Sequence, residues 1–206
     1  MVILVGMKMY EKQMVIKGYN TIAKDYYTHR DLNKFNGELD EFANLVPKGG
    51  KILDVGCGAG IPTAKYLVNK GLKVTGIDIS ETMLKMARKN VPDVEFIHKD
   101  MTELDFEDNT FDGLISVYAL FHVPKQEHKQ IFQNFYQILK PGGVMLINTG
   151  ISESEGVSSF FGVPMFWSNN NPDKTLKFVN ESGFSILFEG ILQRGGEYQY
   201  WIIAKK

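Results

Sequence analysis

Three glycines on alternate positions, Gly56, Gly58 and Gly60, follow the short apolar run Ile52-Leu53-Asp54-Val55. They lead into Ile61–Leu67, which reads as the first turns of a helix. Glycine admits positive φ and lets the backbone approach a ligand closely. A helix N-terminus offers it unpaired N–H groups. A strand running through such a loop into a helix is therefore a cofactor cradle. Asp54 narrows the ligand, because a carboxylate beside the loop repels a pyrophosphate and suits a cationic or amine-bearing group. A dinucleotide fingerprint needs its third glycine at 61, which is Ile, and the Gly-Lys-Ser/Thr ending of a phosphate-binding loop is absent. The alternative is a glycine-rich turn that binds nothing.

Further carboxylates recur at strand ends. Asp78 closes the run Lys73–Ile79, about 20 residues past the loop, where a carboxylate can accept two hydrogen bonds from ribose hydroxyls. Capping the next helix beside Ser80 is its other reading. Asp100 and Met101 follow the strand Val94–Lys99, though aspartates at strand ends are common. The strand Phe111–Tyr118 is nearly continuous in apolar residues and should be central. His122 stands just past it and is the best candidate for a general base, with Tyr118 as an orienting group; packing beside Pro124 is the alternative. His98 reads as an interior histidine.

The elements that must position these residues alternate strand and helix. Residues 10–46 read as helices without a strand, and Pro47–Gly50 breaks the chain before the first strand. Helices are expected over 61–70, 80–90, 124–139 and 172–182. Leu139–Gly143 reads as a turn into the strand Val144–Thr149. The pair Ser185–Leu192 and Tyr198–Lys205 is separated by so short a link that its second strand must run antiparallel. Residues 151–171 change character, from a flexible polar start to the aromatic Phe160–Trp167. A substrate lid and a packed helical insertion or dimer contact both fit that much apolar area.

The chain's 206 residues, 44% hydrophobic and 23% charged, suit one globular domain. A net charge of −1 offers no general case for nucleic acid or an anionic membrane. The one cysteine, Cys57, excludes an internal disulfide and a thiolate metal cluster. The apolar start Met1–Val5 is too short for a signal peptide's core, and no run reaches the roughly 20 apolar residues of a membrane span. A cytoplasmic protein without a membrane anchor is expected, as monomer or homodimer.

The stretch Asp54-Val55-Gly56-Cys57-Gly58-Ala59-Gly60 resembles the first motif of the class I S-adenosylmethionine-dependent methyltransferases. Phe111-Asp112-Gly113-Leu114 and Leu139-Lys140-Pro141-Gly142-Gly143 resemble later stations of the same enzymes, in the same order. Tyr19–Tyr27 partly matches their Y-D-x-I-A-x-x-Y-D opening, with Asn20 and Tyr27 in place of both aspartates. The resemblance implies an α/β fold with three layers: a doubly wound, seven-stranded, mostly parallel sheet whose last strand is antiparallel. Residues 1–48 would form an N-terminal helical cap, and 151–171 an aromatic lid insertion.

The resemblance also implies S-adenosylmethionine as cofactor and S-adenosylhomocysteine as product. Asp54 would position the methionine amino group through the loop or water, with Gly56, Gly58 and Gly60 allowing close approach. Arg30 would reach the methionyl carboxylate, Tyr19 or Tyr26 would line the pocket, and Asp78 would hold the ribose. Asp100 and Met101 would hold the adenine, and Ser116 joins the cofactor-binding set. The expected reaction is methyl transfer to an O, N or C nucleophile of a small molecule by in-line displacement, which needs no metal.

The N/D-P-P-Y/F motif of adenine-amino and cytosine-amino methylases is replaced by Ser116-Val117-Tyr118-Ala119, which argues against those nucleic-acid substrates. An RNA-directed enzyme, a non-catalytic S-adenosylmethionine-binding module and transfer of a larger sulfonium substituent are the competing readings.

Overall fold

The computed structural model describes residues 2–29 and 35–206, with the backbone alone over 2–8. Helix α1 spans Val2–Thr28 and α2 Asn36–Leu45. The alternating part follows as β1 (Lys51–Val55), α3 (Thr63–Asn69), β2 (Lys73–Asp78), α4 (Glu81–Asn90), β3 (Glu95–His98) and β4 (Phe111–Ser116). A 3₁₀ turn (Leu120–His122), α5 (His128–Ile138) and β5 (Leu139–Thr149) come next. The chain ends with β6 (Ser154–Phe160), β7 (Val163–Asn169), α6 (Pro172–Glu181), β8 (Ser185–Arg194) and β9 (Glu197–Lys205).

Seven strands form one sheet in the order β3-β2-β1-β4-β5-β9-β8. Strands β1 to β5 pair in parallel, and β9 runs antiparallel to both β5 and β8. The expected doubly wound sheet with a reversed last strand is thus observed. Successive side chains point to opposite faces of a strand, so the apolar strands serve two cores. Ile52, Ile115, Leu146 and Ile203 pack with α2, α3 and α4 on one side. Leu53, Leu114, Met145 and Ile202 pack with α5 and α6 on the other. Each fully buried Leu or Ile among them contributes roughly 2 kcal/mol.

Two segments differ from the sequence reading. The Leu139–Gly143 turn lies inside β5, whose register against β4 shifts between Phe111 and Gly113 to absorb the extra residues. The 151–171 segment is neither helical nor loose: β6 and β7 form an antiparallel hairpin outside the main sheet. Its anchor is apolar. Met165 and Phe166 of β7 are buried against Val15 and Ile22 of α1. Gly18 permits the approach, since a Cβ there would stand 2.6 Å from the Met165 Cε.

The first helix also starts earlier than the pattern near Tyr10 suggests. Along it Lys12, Val15, Tyr19, Ile22 and Tyr26 recur at intervals of three and four, which places them on one face. That face meets the ends of the parallel strands.

Candidate active site

Because β1, β2 and β4 are parallel, their C-terminal ends open on one edge of the sheet, with the order reversing between β1 and β4. A cavity of about 450 Å³ lies there, within the usual range of ligand pockets. The glycine loop forms one wall. Gly56 and Cys57 both donate their N–H to the Ile77 carbonyl, at 2.8 and 2.9 Å, which folds the loop over the end of β2. Gly58 has φ +53° and lines the cavity, and a Cβ there would meet nothing within 4 Å. Its missing side chain leaves space for a ligand.

Asp78 stands at the tip of β2 and lines the cavity. One carboxylate oxygen accepts from Gly58 N–H and the other from Ser80 N–H, both at 2.8 Å. Burial raises its pKa and these backbone bonds oppose the rise. Each oxygen retains a lone-pair site for a further donor, as a ribose diol would supply. Ser80 caps α4 by accepting from Met83 N–H at 3.2 Å, and its hydroxyl donates to Asn20 Oδ1 at 2.7 Å. Asn20, one of the departures from the resembled opening motif, thereby ties α1 to the start of α4.

Asp100, Met101, Lys12 and Glu103 gather at the far end of the cavity. Asp100 accepts from Thr102 N–H at 2.8 Å through one oxygen and from the Lys12 ammonium at 2.6 Å through the other.

The near end is aromatic. His122, at the end of the 3₁₀ turn, is 9% exposed. Its Nδ1 lies 2.9 Å from the Phe166 carbonyl, which can only accept, so Nδ1 carries the proton. Nε2 is then the acceptor for the Tyr19 hydroxyl at 2.7 Å. Burial pulls the imidazole down to about pKa 4 against the opposing Phe166 bond, so it is neutral near pH 7. Three elements meet at this ring: α1 through Tyr19, the turn after β4, and the hairpin through Phe166.

A second cavity, of about 340 Å³, shares Tyr19, Tyr26 and Tyr118 with the first. Phe160, Phe161 and Trp167 of the hairpin region and Phe121 enclose it, with ring centroids 4.9 Å apart for Phe160 and Phe161 and 5.2 Å for Phe160 and Trp167.

The structure thus brings Tyr26, Gly56, Gly58, Asp78, Asp100, Met101, Tyr118 and His122 to the cavity wall. It leaves others out. Asp54 is 3% exposed and lies off the wall, so any hold on an amine would pass through the loop. Gly60 packs against α4 and β3: a Cβ there would stand 3.0 Å from Phe96 and 3.3 Å from Ala87. Ser116 is fully buried within β4. Arg30 lies outside the described residues. His98 is exposed, with Nε2 on the Ile79 carbonyl at 2.9 Å, instead of interior. Cys57 has its thiol pKa pushed well up by burial and by Asp78, so it is no nucleophile.

Lys12's contact with Asp100 and Asn20's with Ser80 escaped the sequence reading, as did Tyr19's pairing with His122. The spacing of Lys12 and Tyr19 on one helical face was the available signal for the α1 residues.

Residues 52–143 match a family described as a methyltransferase domain. The 24-methylenesterol C-methyltransferase 2 of Arabidopsis thaliana is 32% identical over 123 residues, covering 57% of this chain and 34% of that protein. The demethylmenaquinone methyltransferase of Listeria welshimeri is 41% identical over 106 residues, covering 48% and 44% respectively. The match therefore spans less than half the length of these curated relatives. Magnesium protoporphyrin IX methyltransferase from Synechocystis PCC 6803, solved with bound S-adenosylhomocysteine, shares the fold at a TM-score of 0.73 and 18% identity, covering 95% of this chain and 99% of that one. Over residues 52–143 this chain is therefore similar to a methyltransferase domain, and as a whole it shares its fold with a solved methyltransferase.

Proposed function

We propose that this protein methylates a small molecule from S-adenosylmethionine. One observation carries the reading: the cavity holding Gly58, Asp78 and Asp100 adjoins an aromatic cavity, and the Tyr19–His122 pair stands where they meet. Asp78 would hold the ribose, Asp100 and Met101 the adenine, and the open space beside Gly58 the chain of the amino acid. When bound, S-adenosylmethionine supplies an electrophilic methyl group on a positively charged sulfur.

The chain's own contribution is then mostly placement. Tyr19, Tyr26 and Tyr118 border both cavities and would set the acceptor's nucleophile against the cofactor. His122 Nε2 is already engaged by Tyr19, so His122 would act on the acceptor through the Tyr19 oxygen. Tyr19 would take the acceptor's proton as it passes its own to Nε2, while the Phe166 carbonyl holds the required tautomer.

Phe160, Phe161, Trp167 and Phe121 suit an acceptor with a flat apolar body, and no Lys or Arg among the described residues lines that cavity for an anionic one. Names of relatives that act on sterols and on demethylmenaquinone support the same class. No helix among the described residues is long and apolar enough to cross a membrane, and a cytoplasmic site of action is part of this proposal.

Calorimetric titration with S-adenosylhomocysteine, with NAD as the control, tests the cofactor. Binding of the first without the second is expected, and failure of S-adenosylhomocysteine to bind overturns the reading.

A further inference from the structure

The Lys12–Asp100 contact has no part in the mechanism above, yet it sits on the carboxylate assigned to the adenine. Asp100 has a side chain 10% exposed, and the Lys12 ammonium reaches its Oδ2 at 2.6 Å. Its Oδ1 accepts from Thr102 N–H. An exocyclic amino group approaching Asp100 from the cavity meets the Lys12 ammonium on one oxygen and the Thr102 N–H on the other.

A way out for Lys12 is built beside it. Its ammonium is 3.4 Å from Glu103 Oε1, and the Glu103 side chain is 73% exposed. Moving between the two carboxylates needs only side-chain rotation. The helix itself stays pinned through Asn20 to Ser80 and through Tyr19 to His122.

We propose that Lys12 competes with the adenine amino group for Asp100 and passes to Glu103 when the cofactor binds. The inference rests on the cofactor reading given above. The exchange has a physical logic. A carboxylate this covered needs a donor, and Lys12 and the amino group are alternative donors to the same oxygen. Glu103, in solvent, then keeps the displaced cation paired. Lys12 thereby acts as a built-in competitor that lowers cofactor affinity and gates the adenine end of the cavity.

Adenosine is the probe, because it is neutral and carries the amino group without the amino-acid charges. Its affinity is measured by calorimetry for the wild type, K12M, K12R and E103Q, from about 0.05 to about 0.5 M NaCl. Removing the competitor in K12M is expected to tighten adenosine binding about threefold to fivefold, the equivalent of one partly exposed ion pair. K12R retains the pair and is expected to bind like the wild type. E103Q, lacking the second carboxylate, is expected to bind about twofold more weakly. Salt weakens the Lys12–Asp100 pair, so wild-type affinity is expected to rise with NaCl relative to K12M.

Equal or weaker binding by K12M, or parallel salt dependences, overturns the competition. Undiminished binding by E103Q overturns the transfer to Glu103. The wild-type salt series needs no variant to fold. Failure of adenosine to bind either wild type or K12M sinks the cofactor reading and this exchange with it. Binding without a Lys12 or salt effect sinks the exchange alone.

Discussion

Lowering the pH from 7 to 5 is expected to destabilise the fold through two buried histidines. His122 and His128 are both pulled down from 6.5 to about 4, chiefly by burial. His128 donates through Nε2 to the Val123 carbonyl at 3.0 Å, and its Nδ1 lies 3.3 Å from Asn170 Nδ2. In the unfolded chain each ring takes up a proton as the pH falls through about 6.5, whereas in the fold it stays neutral until about 4. The unfolded state thus binds more protons across that window, and stability is lost as the pH falls through it.

Integrating the difference from pH 7 to 5 gives about 2 kcal/mol for each histidine, or about 4 kcal/mol together. That is a large share of the roughly 5–15 kcal/mol typical of a domain. Around His128, Glu155 raises and Lys174 lowers the pKa, both less than burial does. Asp78, raised by burial, works in the opposite sense, and the carboxylates held low by lysine partners act mainly below this window.

The His128→Gln variant isolates one contribution, because glutamine can keep a donor and an acceptor there without titrating. Urea unfolding of both proteins at pH 7 and 5 is expected to show a drop about 2 kcal/mol smaller in the variant. The same drop in both, or a wild-type drop under about 1 kcal/mol, refutes the reasoning.

Replacing Asp78 with Asn puts an amide donor against the Gly58 or Ser80 N–H and removes the charge. S-adenosylhomocysteine affinity is expected to fall about 100-fold by calorimetry. Tyr19→Phe keeps the ring and removes the hydroxyl that reaches His122. It is expected to lower kcat about 10- to 100-fold while S-adenosylhomocysteine affinity stays within about twofold, and equal losses in both would assign Tyr19 to cofactor binding instead. Gly58→Ala places a methyl group in the cavity at φ +53°. It is expected to cost about 1 kcal/mol of stability in thermal unfolding and about tenfold in S-adenosylhomocysteine affinity.

Much of this was legible in the one-dimensional pattern, and the reasons are local. The loop from Val55 to Gly60 declares itself because positive φ and close ligand approach demand glycine. Asp78 is legible because a carboxylate at a strand tip has nowhere to go but the strand's open end. The short link before β9 forces that strand to run backward. These are constraints that neighbouring residues place on one another.

The remainder depended on distance in space. Asp54 and Asp78 both stand near the ends of apolar strands, but only packing buried the first off the cavity wall and set the second on it. The hairpin at 154–169 hides behind a polar first strand, because its apolar anchors, Met165 and Phe166, make sense only against α1. Tyr19 and His122 are 103 residues apart, and Lys12 and Asp100 are joined across 88. The sequence by itself determined the sheet, its glycine loop and the acids at its edge, since backbone conformation and strand periodicity are short-range. Only the tertiary structure decided which side chains close the site. Hydrogen bonds and ion pairs are contacts of a few ångströms, and the folded chain alone brings such distant residues within that reach.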